Sequence, residues 1–93
     1  MRWGFVFVAC PVKLDEEQRT GLVRLAAHAW FTDQDEVRFD WDGCEGVVRV
    51  ASDTMSLGTF VGQRFTAEVN LAEESGKVEF LVAEHHLKAE AEA

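Results

Sequence analysis

The stretch FTAEVNLAEESGKVEFLV, residues 65–82, alternates apolar and polar residues with a period of two on either side of a polar turn. Phe65, Ala67, Val69 and Leu71 fall on one parity, with Thr66, Glu68 and Asn70 on the other. After Glu73-Glu74-Ser75-Gly76, Val78, Phe80 and Val82 alternate with Lys77, Glu79 and Leu81. This period describes strands with one buried face, so the stretch reads as a β-hairpin. It decides the fold. The ferredoxin-like alternative, βαββαβ, needs one long second helix over 54–71, and the alternation after Phe65 argues against it.

The segment Asp33 to Glu45 has the same signature. Asp33, Asp35, Glu36, Asp40, Asp42 and Glu45 surround Val37, Phe39 and Trp41. Glu36–Trp41 therefore reads as a strand with an apolar and an acidic side, residues 42–46 as a turn of more than two residues, and Val47–Ala51 as the returning strand. Trp3 to Cys10 is apolar on both parities, as in a central strand covered on both faces, and Pro11 ends it.

Asp15-Glu16-Glu17-Gln18 is a helix start: Asp15 caps, Gln18 stands at the reciprocal capping-box position, and acids in the first turn complement the helix dipole. The helix should run from Glu16 to Trp30. Its core stripe is Leu22, Leu25, Ala26 and Ala29, broadened by Val23 and Trp30, while Arg19, Arg24 and His28 fall toward the other side. Between Ser52 and Gln63, Leu57, Phe60, Val61, Arg64 and Phe65 fit helical spacing while Gly58 and Gly62 weaken a helix, which favours a short helix or irregular crossing.

The expected fold class is α+β: a two-layer sandwich with a mostly antiparallel sheet of four or five strands and one main helix. The expected order is strand, helix, strand, strand, short helix or loop, strand, strand. Residues 1–87 form one domain, and 88–93 form a frayed acidic tail. One helix cannot cover both faces of such a sheet. The second face is then covered by the Ser52–Gln63 segment, by a second copy of the chain, or by another protein.

The chain has 93 residues, of which 47% are hydrophobic, including seven Phe and three Trp, enough for a core without metals or disulfides. Nine Lys and Arg against 17 Asp and Glu give a net charge of −8, which disfavours direct nucleic-acid binding because phosphates would be repelled. Basic proteins are the expected partners. Cys10 and Cys44, 34 positions apart, make neither a disulfide framework nor a zinc spacing, and the apolar start is too short for a membrane span. Reduced thiols in a cytoplasmic protein without a membrane segment are expected, with a single bridge as the alternative if the end of the first strand lies beside the 42–46 turn.

The residues that could carry chemistry form no specific constellation. Cys10 or Cys44 with His28, His85 or His86 gives no nucleophile pattern, and adjacent strand residues His85 and His86 would point to opposite sides. Asp40 and Asp42 share a strand face but lie on its solvated parity, where a general acid is hard to tune. Their neighbourhood lacks the spaced ligands of a calcium loop, and the glycine pairs 43/46 and 58/62 lack a phosphate loop's context. No catalytic residue, metal or cofactor is expected. The expectation is a non-enzymatic interaction protein whose acidic sheet face, Glu36, Asp40, Asp42, Glu45, Glu68 and Glu79, meets a basic surface with Trp41 as anchor. Small acidic inhibitors that occupy nucleic-acid-binding grooves, anti-CRISPR proteins among them, have this size and charge. An immunity protein or antitoxin would share these properties. The competing expectations are a small-ligand or catalytic domain with a pocket near Cys10, His28 or Trp30, and a homodimeric accessory subunit.

Overall fold

Asp15 sets the first helix. Its side chain accepts from the Gln18 backbone N–H at 2.7 Å, and the Gln18 side chain accepts from the Asp15 N–H at 2.9 Å. In the computed structural model, which describes residues 4–92, this capping box starts helix α1, Glu16–Phe31. The helix buries Leu22, Val23, Ala26, Ala27 and Ala29, while Arg24 and His28 stay exposed.

Five antiparallel strands form one sheet: β1 Phe5–Ala9, β2 Glu36–Trp41, β3 Cys44–Leu57, β4 Phe60–Leu71 and β5 Ser75–Val82. Their spatial order is β1-β5-β4-β3-β2. The last four strands form a meander, and α1 carries the chain from the β1 edge to the β2 edge. A second helix, α2, spans Glu84–Glu92. It packs on α1, buries Leu87 and places Glu90 3.5 Å from Arg24. The core therefore lies between one face of the sheet and the helices: Phe39, Val48, Phe65, Ala67, Val69, Val78, Phe80 and Val82 meet Leu22, Val23, Ala26, Ala27 and Leu87. The chain is a small α+β protein.

Several expectations change. Ser52–Gln63 is neither helix nor loop, because β3 continues to Leu57, turns through Gly58 and Thr59, and returns as β4. Gly58 takes φ +64°, a conformation that favours glycine. Between the pairs Val50↔Phe65 and Thr54↔Gln63, residues 51–53 stand against Arg64 alone. The Gln63 side chain stitches this bulge by donating to the carbonyls of Ala51 at 2.6 Å and Asp53 at 2.9 Å. Extra residues of this kind interrupt the two-residue alternation, so the segment's spacing does not read as one continuous strand.

The β2–β3 turn is also tighter than expected. Trp41 pairs with Cys44, so only Asp42 and Gly43 connect the strands, and Gly43 has φ +76°. Cys44, Glu45 and Gly46 belong to β3. β1 is an edge strand rather than a central one, with Phe5, Val6, Phe7 and Val8 half-buried and Ala9 exposed. Trp3, read as the start of that strand, lies outside the described residues. His85 and His86 stand in the first turn of α2, not at a strand end, and residues 88–92 continue this helix instead of forming a frayed tail.

Among the described residues, no helix packs on the sheet face away from α1 and α2. Even so, Leu81 is 0% exposed and Val47 6%. Leu81 lies beside Val6 and Arg64 in register, and Val47 beside Arg38 and Glu68. Long charged side chains shield such positions with their aliphatic stems while their heads reach water.

Candidate protein-binding site

Strand register divides the sequence-selected residues into two groups. Glu36, Asp40, Glu45, Glu68 and Glu79 project from the uncovered sheet face, whereas Trp41 lies on the opposite parity and Asp42 in the turn.

On the uncovered face, most carboxylates have cations beside them. Arg49 donates to Glu68 at 3.0 Å and lies 3.6 Å from Glu36, with Arg38 at 3.9 Å from the other Glu36 oxygen. Arg64 bridges Asp53 and Glu79, at 3.0 Å to each, and those two contacts hold its guanidinium even more firmly protonated than usual. Lys77 is opposite Glu68 in register. A face compensated in this way is a weak lure for a basic partner, because its field largely cancels at short range. Asp40 and Glu45 are the exceptions. They are directly opposed across β2 and β3, a like-charge juxtaposition that sheets ordinarily avoid.

The concentrated acid lies at one end of the molecule. Trp41↔Cys44, Cys44↔Leu71 and Asn70↔Ser75 set the β2–β3 and β4–β5 turns side by side. The β1–α1 connection crosses the same end: a Cβ at Gly76 would stand 3.0 Å from the Pro11 ring, and the Lys13 backbone N–H donates to Glu74 at 2.7 Å. Asp15, Glu17, Asp42, Glu45, Glu73 and Glu74 are thereby gathered there and exposed. Among the described residues, none of these six is in an ion pair. Sequence reasoning selected Asp42 and Glu45 but missed the other four. Their proximity depends on the β1–α1 connection meeting the β4–β5 turn, a contact without a local sequence signal.

At this end, a groove of about 580 Å³ runs between α1 and the end of β2. Trp41, half-buried, tilts against Phe39 with ring centroids 4.5 Å apart, and its six-membered ring lies over Gly21. A Cβ at Gly21 would stand 2.8 Å from Trp41 Cη2, so the glycine lets the indole lie on the helix backbone. Leu25 adds apolar lining, Asp15, Glu17 and Asp42 line the groove with carboxylates, and Arg24 also borders it. Cys44 is buried nearby, and burial followed by the charge of Asp15 pushes its thiol above the ordinary value.

Both cysteines are free thiols. Cys10, His28 and Trp30 do not line the groove. Among the described residues, no group of three or more His, Cys, Asp or Glu is placed to hold a metal, and no helix is long and apolar enough to cross a membrane. No protein-family model, curated protein or solved structure matches the chain.

Proposed function

We propose that the chain is a non-enzymatic, cytoplasmic protein-binding module whose acidic end engages a basic surface, acting as an inhibitor of a nucleic-acid-binding protein. An anti-CRISPR or other anti-defence protein is the concrete form, with an immunity protein or antitoxin as its close variant. One observation carries the reading: three connections converge so that Asp15, Glu17, Asp42, Glu45, Glu73 and Glu74 are exposed together with no ion pair among the described residues. An uncompensated acidic surface speeds encounter with a basic partner and competes with phosphates for its cations. Asp40 extends this surface onto the sheet. Glu36, Glu68 and Glu79, already beside arginines, contribute less.

The test is to purify the tagged chain from its host with whatever it holds, then measure the purified partner's affinity for the wild type and for Asp42→Lys/Glu45→Lys/Glu73→Lys. The expected partner is a basic nucleic-acid-binding protein that loses nucleic acid when the wild type binds and ignores the triple variant. Equal affinity for both chains would remove the reading.

A homodimer has its own supporting observation. The β1 edge carries no charged side chain over Phe5–Ala9, while the β2 edge carries Glu36, Arg38 and Asp40. An edge without charged side chains invites pairing with a second copy. Sedimentation of the wild type beside Val6→Lys decides it: a dimer abolished by the lysine supports pairing through β1, and a monomer at high concentration excludes it.

A further inference from the structure

Resting on the acidic-end reading, we infer that the groove between Trp41 and Gly21 receives one cationic side chain, an arginine or lysine, of the basic partner. The groove's volume, about 580 Å³, lies in the range of small-ligand sites, roughly 300–1,000 Å³. Its lining also defines the occupant's chemistry. The indole of Trp41 and the side chain of Leu25 suit the aliphatic stem of a long cationic side chain. Asp15, Glu17 and Asp42 supply negative charge around the same ring. An anion would meet these carboxylates, and a purely apolar ligand would desolvate them without compensation.

Two further features favour a cation from outside. Gly21 sits inside α1, where glycine weakens a helix relative to alanine, yet any Cβ there would push Trp41 off the helix. The glycine thus sets where the Trp41 ring lies along the groove. Arg24, the cation bordering the groove, is drawn toward Glu90 of α2 at 3.5 Å. Among the described residues, Glu17 and Asp42 form no ion pair with it or with any other cation. The groove thus combines an apolar wall of Trp41 and Leu25 with carboxylates whose counter-charge the partner supplies.

The experiment is a titration of the whole ¹⁵N-labelled chain with N-acetyl-arginine amide, following the Trp41 indole N–H assigned from Trp41→Phe. The uncharged isostere N-acetyl-citrulline amide is the control. The expected result is a saturable Trp41 shift with a dissociation constant in the low millimolar range, absent with citrulline and weakened at least about threefold in Glu17→Gln/Asp42→Asn. These substitutions preserve side-chain shape, and the backbone amide spectrum verifies that the variant is folded. No saturable shift, an equal shift with citrulline, or unchanged affinity in the variant overturns the inference. Binding of poly-L-lysine, measured in parallel, separates the two levels. If that binding is lost in Glu45→Lys/Glu73→Lys/Glu74→Lys while Trp41 fails to respond to arginine amide, the acidic-end reading stands and the groove inference falls. If those reversals leave poly-L-lysine binding unchanged, the acidic-end reading falls.

Discussion

On the uncovered sheet face Glu36 and Glu68 flank Arg49, and Asp53 and Glu79 flank Arg64, whereas at the turn-bearing end Glu17, Asp42, Glu45 and Glu73 have no such partner among the described residues. Both regions are rich in carboxylates, but the first lies on strands and the second on the connections at one end of the sheet, the adjoining start of β3 and the first turn of α1. The difference arises from register. Arginines at 49 and 64 face their acids across β2, β3, β4 and β5, while the turns gather acids from distant parts of the chain around few cations. Counting negative charge along the sequence therefore misplaces the attractive surface, because neutralisation is decided by cross-strand neighbours.

The largest expected effect separates the two regions directly. Lysine substitution of Asp42, Glu45 and Glu73 should weaken binding to the basic partner at least about tenfold, whereas Glu36→Gln/Glu68→Gln should change it by less than about threefold, measured by calorimetry on the purified partner. Ionic strength sharpens the same contrast. Raising salt from about 0.05 to 0.5 M should slow wild-type association several-fold, and the triple-lysine chain should lose most of that dependence in stopped-flow measurements.

Next in size is a change at the seam between the regions. Gly46 lies between Phe39 on β2 and Val69 on β4, and a Cβ there would collide with the Glu68 carbonyl oxygen, which backbone geometry cannot move aside cheaply. Gly46→Ala should cost about 3 kcal/mol in urea unfolding. Asp15→Ala should cost about 1 kcal/mol, because the cap of α1 is lost and its first-turn N–H groups are left without the side-chain acceptor. A cost indistinguishable from zero would show that α1 is held by packing alone.

The smallest effect concerns Cys44 beneath the acidic end. Its thiol holds its proton above the ordinary value of 9.0, through burial first and the Asp15 charge second. The folded chain binds that proton more tightly than the unfolded chain. The associated stability is present below about pH 9 and is lost as pH rises through the folded value. Labelling with a thiol reagent at pH 8 should accordingly be slower at Cys44 than at the half-buried Cys10, and should accelerate at Cys44 in urea.

Much of this architecture was legible in the residues. The capping box at Asp15 and Gln18, the stripe through Leu22 and Ala26, and the alternations over 36–41 and 65–82 each reflect local physics, and each appears where expected. The distal half of the β3–β4 hairpin was not legible. Its apolar residues Leu57, Phe60 and Val61 match helical spacing, and the bulge at 51–53 breaks the period that would have marked a strand. β1 misled for a different reason, since apolar residues on both parities suit a covered strand, and here they belong to an edge strand whose Phe5, Val6, Phe7 and Val8 are only half-buried. Of the candidate site, Trp41, Asp42 and Glu45 were visible from the strand pattern. Asp15, Glu17, Glu73 and Glu74 were not, because their meeting depends on the path of the β1–α1 connection past Gly76 and Glu74.

The measurement that tests the central claim most directly is the affinity of the purified basic partner for two charge-matched variants: Asp42→Lys/Glu45→Lys at the acidic end, and Glu68→Lys/Glu79→Lys on the uncovered face. Both raise the net charge by the same amount, so nonspecific attraction falls equally. A loss of about tenfold or more confined to the first variant is the predicted result. Equal losses in the two, or a larger loss in the second, would contradict the account.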